Sequence, residues 1–177
     1  MKIISGKYKG RNLKGFDIIG TRPTMDRVKE SMFAMIQNKV SNAVVLDLFA
    51  GSGSLGIEAL SNGAKKCYFV DNNKEAIDTI RENLKGIENA VLENTDYNKA
   101  LKSFRDDAIK FDIIILDPPY DRCFINKILT FIYDNQLLND NGIIVCEYEK
   151  EKVINSNLHI YKERKYGDKT VTIFDIE

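Results

Sequence analysis

Four consecutive residues, Asp117-Pro118-Pro119-Tyr120, follow directly on the apolar run Phe111-Asp112-Ile113-Ile114-Ile115-Leu116. Their types suit chemistry on a planar amine. The Asp117 carboxylate can accept a hydrogen bond from an NH2 group, and the Pro118 carbonyl can accept a second. Neither proline can donate to a sheet ladder, so the chain must leave its strand here, and the rings fix the direction of the exit. Tyr120 then offers a ring that can lie flat on a base. Two acceptors and a stacking surface at a strand end are equipment for reaction at an exocyclic nitrogen of a nucleobase. Asp-Pro is also ordinary turn chemistry, so the tetrad takes its meaning from the elements that position it.

Upstream, Val44-Val45-Leu46-Asp47-Leu48-Phe49 leads into Ala50-Gly51-Ser52-Gly53-Ser54-Leu55-Gly56-Ile57-Glu58-Ala59-Leu60. This reads as a buried strand, a glycine turn and the start of a helix. Gly51, Gly53 and Gly56 fit the G-x-G-x-x-G template, with β-branched residues before it and an apolar face through Leu55, Ala59 and Leu60 after it. Asp71 comes at the end of the next apolar run, Cys67-Tyr68-Phe69-Val70. An acid at the tip of that second strand can bind both hydroxyls of a ribose, which implies an adenosine-containing cofactor. A dinucleotide would set its pyrophosphate on the helix N-terminus. Asp47, just before the glycines, would repel a pyrophosphate but attract the ammonium of S-adenosylmethionine. The Asp117 tetrad also has no place in hydride transfer, and both arguments favour methyl transfer over an NAD-dependent oxidoreductase.

Taken in order, the glycine turn from Asp47 to Glu58, Asp71, the acid of Asn94-Thr95-Asp96 and the Asp117 tetrad resemble the successive motifs of S-adenosylmethionine-dependent methyltransferases that modify amino groups. Two N-terminal stretches narrow the likeness. Ile3-Ile4-Ser5-Gly6-Lys7-Tyr8-Lys9-Gly10-Arg11 and Thr21-Arg22-Pro23-Thr24-Met25-Asp26-Arg27-Val28-Lys29-Glu30-Ser31-Met32-Phe33 resemble the bacterial 16S ribosomal RNA guanine-N2 methyltransferase D family. That family often carries Phe where this chain has Tyr120, and both rings stack. The resemblance implies S-adenosylmethionine as cofactor and 16S ribosomal RNA in the small subunit as partner. It also implies roles. Asp117, Pro118 and Tyr120 would be catalytic; Asp47, Gly51, Gly53, Asp71, Asp96, Arg22 and Thr24 would hold the cofactor; and Lys7, Lys9, Arg11 and Arg27 would meet RNA. Glu58 reads as a helix-start charge rather than a ligand. Rival readings are a DNA adenine-N6 methyltransferase, which needs a target-recognition region this length scarcely accommodates, and a noncatalytic ribosome-assembly factor that binds RNA.

The 177 residues suit one domain, with residues 1–39 as a basic hairpin and lid helix and 40–177 as the cofactor-binding core. No stretch has the apolar length of a membrane span or of a signal peptide's centre, so a cytoplasmic protein is expected, with a monomer as the default state. Formal net charge is zero, yet residues 1–30 hold eight cations against three acids. One basic end on an otherwise acidic chain concentrates its phosphate-binding capacity there. A second basic cluster, Lys162, Arg164, Lys165 and Lys169, surrounds Gly167. Cys67, Cys123 and Cys146 lack zinc or redox spacing; Cys67 and Cys146 read as buried thiols, Cys123 as a loop thiol and His159 as a surface or edge-strand residue. No metal site is expected.

The periodicities predict an α/β fold, a Rossmann-like seven-stranded methyltransferase sheet with an N-terminal β-hairpin and helix. The hairpin falls at 2–7 and 11–16, and a helix capped by Thr24 runs to about residue 39. Strands near 43–48, 66–71, 90–94, 111–116 and 142–147 alternate with helices near 54–63, 73–86, 97–105 and 124–135, which means a parallel sheet. Runs near 158–163 and 170–176 read as a closing hairpin. Asp47, Asp71, Asp96 and Asp117 then all fall at the carboxyl ends of strands, where such sheets bind ligands.

Overall fold

The computed structural model describes residues 1–15, 24–119, 122–149 and 157–176. Helix α1 (Thr24–Val40) precedes a regular alternation: β1 (Val44–Asp47), α2 (Ser54–Ser61), β2 (Lys66–Asp71), α3 (Lys74–Asn83), β3 (Ala90–Asn94), α4 (Tyr97–Asp106), β4 (Phe111–Leu116), α5 (Arg122–Asp134) and β5 (Leu138–Glu149). Strands β6 (His159–Tyr166) and β7 (Lys169–Asp175) complete it. One seven-stranded sheet has the order β3-β2-β1-β4-β5-β7-β6. The first five strands are parallel, and β7 inserts antiparallel between β5 and β6. The order reverses between β1 and β4, which opens the crevice beyond their carboxyl ends.

The strands are continuous apolar runs because helices cover both faces. On one face α1, α2 and α3 bury Met32, Ile36, Ile57 and Ile80 against Val45, Ile115 and Val145. On the other, α4 and α5 bury Leu101, Phe104, Ile128 and Leu129 against Leu46, Ile114 and Ile144. Period-two alternation along each strand sorts its side chains between these layers. Asp47 follows Leu46, and Asp117 follows Leu116 of the second layer, so both acids belong on the side of the sheet carrying α1 and α2.

Three sequence expectations are corrected. Residues 1–15 do not form two regular strands: Lys2 and Asn12 make an isolated bridge, supported by backbone bonds from Ile3 to Arg11, Gly10 to Ile3 and Leu13 to Met1. The bonding capacity of this segment goes instead to α2 and α3. Strand β5 starts at Leu138 rather than near 142, because Asn139-Asp140-Asn141-Gly142 is taken into the ladder as an irregularity opposite Phe111 and Ile113. Cys123 lies in the first turn of α5 rather than in a loop. His159 does open the edge strand, with Nδ1 2.8 Å from Asp175 Oδ1, and Cys67 and Cys146 are buried. No helix among the described residues is long and apolar enough to cross a membrane.

Candidate active site

The site begins with the turn between β1 and α2. Gly51 and Gly53 have φ of 54° and 78°, left-handed values that a side chain resists. They fold the chain back so that α2 starts directly over the β1 end. Gly56 matters for a different reason, since a Cβ there would lie 2.3 Å from the Phe69 ring and 2.8 Å from Cys67 Sγ. Its bare backbone lets α2 press onto β2. Asp47, 1% exposed, fastens the same turn, with Oδ2 accepting from Gly56 N at 2.9 Å. Burial pushes the Asp47 carboxyl up to about 7, Gly56 N–H opposes the shift, and the Asp71 charge adds to it.

Asp71 is oriented in a similar way. Its Oδ2 accepts from Gly51 N at 2.9 Å and its Oδ1 from Asn73 N at 2.8 Å, which ties the glycine turn to the tip of β2. Asp96 is the N-cap of α4, with Oδ1 accepting from Asn98 N at 2.8 Å. A cap of this kind satisfies an amide that the helix cannot. The rings of Phe49 and Tyr97 meet at 5.4 Å between the β1 turn and the start of α4, an aromatic contact that sequence spacing did not single out.

Asp117 stands at the end of β4, half-buried, and among the described residues no donor bonds its carboxylate. Burial pushes it up to about 7; the charge of Glu147 adds, Lys169 opposes, and Asp47 adds. The register explains the neighbours. Leu116 pairs with Cys146, so the next residues, Asp117 and Glu147, come side by side, and Lys169 of β7 reaches across to ion-pair with Glu147. Burial, with Asp117 and Glu147 adding, likewise pushes the Cys146 thiol up. Pro118 follows, half-buried, and Pro119 is exposed. Tyr120 and Arg22 lie outside the described residues, as does the side chain of Thr24, which opens α1.

The largest correction concerns Glu58. It is not a helix-start charge but stands in the middle of α2, 1% exposed. Its carboxylate accepts from Ile4 N at 3.0 Å, from Ser5 N and Ser5 Oγ at 2.9 Å, and pairs with the equally buried Lys29 of α1 at 3.2 Å. Lys29 Nζ also donates to Lys2 O at 2.7 Å and to Ser54 Oγ at 3.0 Å, at the first residue of α2. One ion pair thus joins the N-terminal segment, α1 and the helix that carries the glycine turn. Asn83 makes a second joint, bonding Lys14 N, Lys14 O and Ser52 O.

The N-terminal cations are therefore placed differently from a free ribbon. Lys7 N donates to Ser61 O, and a Cβ on Gly6 would sit 1.9 Å from that same oxygen. The Gly6 turn lies flush on the far end of α2 from the glycine turn. Arg11 donates to Lys85 O at 2.6 Å, and Lys14 pairs with Glu82. Lys7, Lys9 and Arg27 are exposed. Among the described residues no group of three or more His, Cys, Asp or Glu could hold a metal ion.

A mostly parallel sheet with an antiparallel β7, a glycine turn after β1 and acids at successive strand ends define the class of S-adenosylmethionine-dependent methyltransferases. Comparison with known proteins agrees. A family model described as "Conserved hypothetical protein 95" matches residues 1–175. The chain is 41% identical over 180 residues to "Putative rRNA methyltransferase YlbH" of Bacillus subtilis, covering 98% of each. It is 35% identical to "Ribosomal RNA small subunit methyltransferase D" of Haemophilus influenzae, over 94% of this chain and 89% of that one. In structure it matches "Putative methyltransferase yhhF from Escherichia coli" with TM-score 0.87 and 30% identity, over 100% and 98% of the two chains. The chain belongs to this family, that of the ribosomal RNA small subunit methyltransferases D.

Proposed function

We propose that the chain methylates the exocyclic N2 amine of a guanine in 16S ribosomal RNA, using S-adenosylmethionine, as a cytoplasmic monomer acting on the assembled small subunit. Family membership supports the S-adenosylmethionine-dependent methylation of ribosomal RNA. The observation that carries the choice of an amine is Asp117: of Asp47, Asp71, Asp96 and Asp117 it alone has no donor on its carboxylate among the described residues, and Pro118 follows it.

The residues present fit the cofactor. A Cβ at Gly51 would meet nothing within 4 Å, so the backbone of the turn faces open space. Asp71, already oriented by Gly51 N and Asn73 N, keeps lone pairs for the ribose hydroxyls. The free oxygen of Asp96 suits the adenine amino group, and Asp47, buried beneath the turn, biases it toward a cation. When bound, S-adenosylmethionine supplies a methyl group already activated by its sulfonium charge.

Asp117 and the Pro118 carbonyl accept the two N–H bonds of the guanine amine. That orientation draws the nitrogen lone pair out of ring conjugation and fixes the direction in which it reacts. As the nitrogen gains its new carbon substituent it becomes cationic and acidic, and its proton passes to Asp117 or to water. Tyr120 stacks on the base, which must leave any helix to be reached. Arg22 and Thr24 are assigned to cofactor binding by the family's motif alone, while Lys7, Lys9, Arg11 and Arg27 bind phosphate.

Small subunits from a strain lacking this protein, incubated with labelled S-adenosylmethionine and digested to nucleosides, test the reading. Label in N2-methylguanosine, lost with Asp117→Ala, is expected. Label in another nucleoside overturns the guanine assignment, and binding without transfer overturns the enzyme.

A further inference from the structure

The C-terminal cations form a second charged surface, one that the catalytic reading does not use. Strand β6 is the edge of the sheet and pairs only with β7. From His159 to Lys165 every residue is exposed. Lys162, Arg164 and Lys165 stand here without a carboxylate partner among the described residues, unlike Lys14, Lys29 and Lys169, which are ion-paired. The register shifts between Ile160 and Lys162, a bulge that re-aims Tyr161. The Tyr161 ring is 45% exposed, with Lys162 Nζ at 5.0 Å and Lys39 Nζ at 5.8 Å from its centroid. Both lysines are steadied by backbone carbonyls rather than by acids, Lys162 by Met35 O at 3.2 Å and Lys39 by Asn141 O at 2.9 Å.

We infer that β6, together with Lys39 at the end of α1, is an RNA-docking edge: Lys162, Arg164 and Lys165 bind successive phosphates, and Tyr161 carries an unpaired base. An exposed ring among cations is the composition that single-stranded nucleic acid needs, because any base can stack while the cations follow the backbone. Charge decides against the other occupant of an open edge. Pairing β6 with a second β6 would bring these cations against each other, which is destabilising, and lysine on an edge is a common block to such pairing. A polyanion relieves the same repulsion. The strand also leads to the site. Its eight residues span about 26 Å. At its end Tyr166 pairs with Lys169, the partner of Glu147 beside Asp117. RNA whose target base is at Asp117 can thus run along β6, away from the N-terminal cations on α2.

This inference rests on the proposal that ribosomal RNA is the substrate, and its test separates the two. The full chain, Lys162→Ala/Arg164→Ala/Lys165→Ala, Tyr161→Ala and Tyr161→Phe are compared for binding to unmodified small subunits between about 50 and 200 mM salt. Methyl transfer is measured in parallel. Each lost phosphate contact flattens the slope of log affinity against log salt by about 0.7–0.9, so the triple variant is expected to flatten it by about two to three. KM should rise about tenfold or more while kcat and cofactor affinity stay unchanged. Tyr161→Ala should weaken binding with the slope retained, and Tyr161→Phe should restore it. An unchanged slope and KM in the triple variant overturns the inference, as does a concentration-dependent dimer that the variant abolishes, which would give the edge to a second copy. Wild-type binding without transfer would instead sink the functional proposal while the slopes still decide the docking edge.

Discussion

The two sides of the crevice use the same residue types in opposite ways. On the cofactor side the acids are committed. Asp47 holds Gly56 N, Asp71 holds Gly51 N and Asn73 N, and Glu58 holds two backbone amides and Lys29 in complete burial. On the acceptor side Asp117 has no donor among the described residues, and its neighbours Glu147 and Lys169 are 9% and 31% exposed. A carboxylate whose lone pairs already serve amides shapes a loop. One that is left open, with its proton affinity raised, is available to a substrate.

The largest effect is expected at Glu58. Glu58→Ala leaves Lys29 charged and buried and frees two amides, and a broken buried pair costs about 3–5 kcal/mol; denaturant unfolding should show it, with Lys29→Ala somewhat milder. Asp117→Ala is the converse: transfer should fall by roughly 10²–10³, the scale of one lost transition-state acceptor or donor, with thermal stability and cofactor binding retained. A Gly56→Ala chain should lose about 1–3 kcal/mol through overpacking against Phe69, and calorimetry would read that as a lower unfolding temperature.

The pH dependence sharpens the contrast further. Asp117, raised to about 7, orients and stabilises the increasingly cationic amine best when ionised, so kcat/KM should rise with pH through a midpoint near 7. A bound sulfonium favours the ionised form, so the kcat midpoint should lie lower. Glu147→Gln should move the free-enzyme midpoint to lower pH and Lys169→Met to higher pH, because those charges act in opposite senses on Asp117. For stability the sign reverses. The folded protein holds protons on Asp47 and Asp117 that the unfolded chain releases near pH 4, so stability should decline as pH rises from about 4 to 7. The smallest effect is expected from Lys7→Ala/Lys9→Ala, which should flatten the salt dependence of RNA binding by about one to two and leave kcat unchanged.

Much of this arrangement was legible in the sequence because it is local. Strands β1 to β4 and their helices follow from apolar runs and glycine punctuation, and the positions of Asp47, Asp71, Asp96 and Asp117 follow from those runs ending. Committed partners were not legible. Glu58 meets Ile4 across 54 positions, and Glu147 meets Lys169 across 22. Neither distance carries a periodic signal. A glutamate in an amphipathic helix looks solvated until another segment covers it, and an Asn-rich stretch looks like a turn until a neighbouring strand recruits it. The signal for Glu58 was its place among Ile57, Ala59 and Leu60, where a charge requires a partner.

The insertion of β7 between β5 and β6 has a consequence for biosynthesis. The growing chain makes β6 before the strand that attaches it to the sheet exists, and Ser31 waits 135 residues for Tyr166. Contacts of such long sequence separation form late and slowly. A nascent chain that has passed Asp117 already encodes the proposed amine acceptor, but it lacks Lys169 and has no place for β6 to pair. Synthesis of β7 is therefore the step that completes both the electrostatics around Asp117 and the edge of the sheet, and a chain truncated before it should aggregate through β5 instead of reaching an active form.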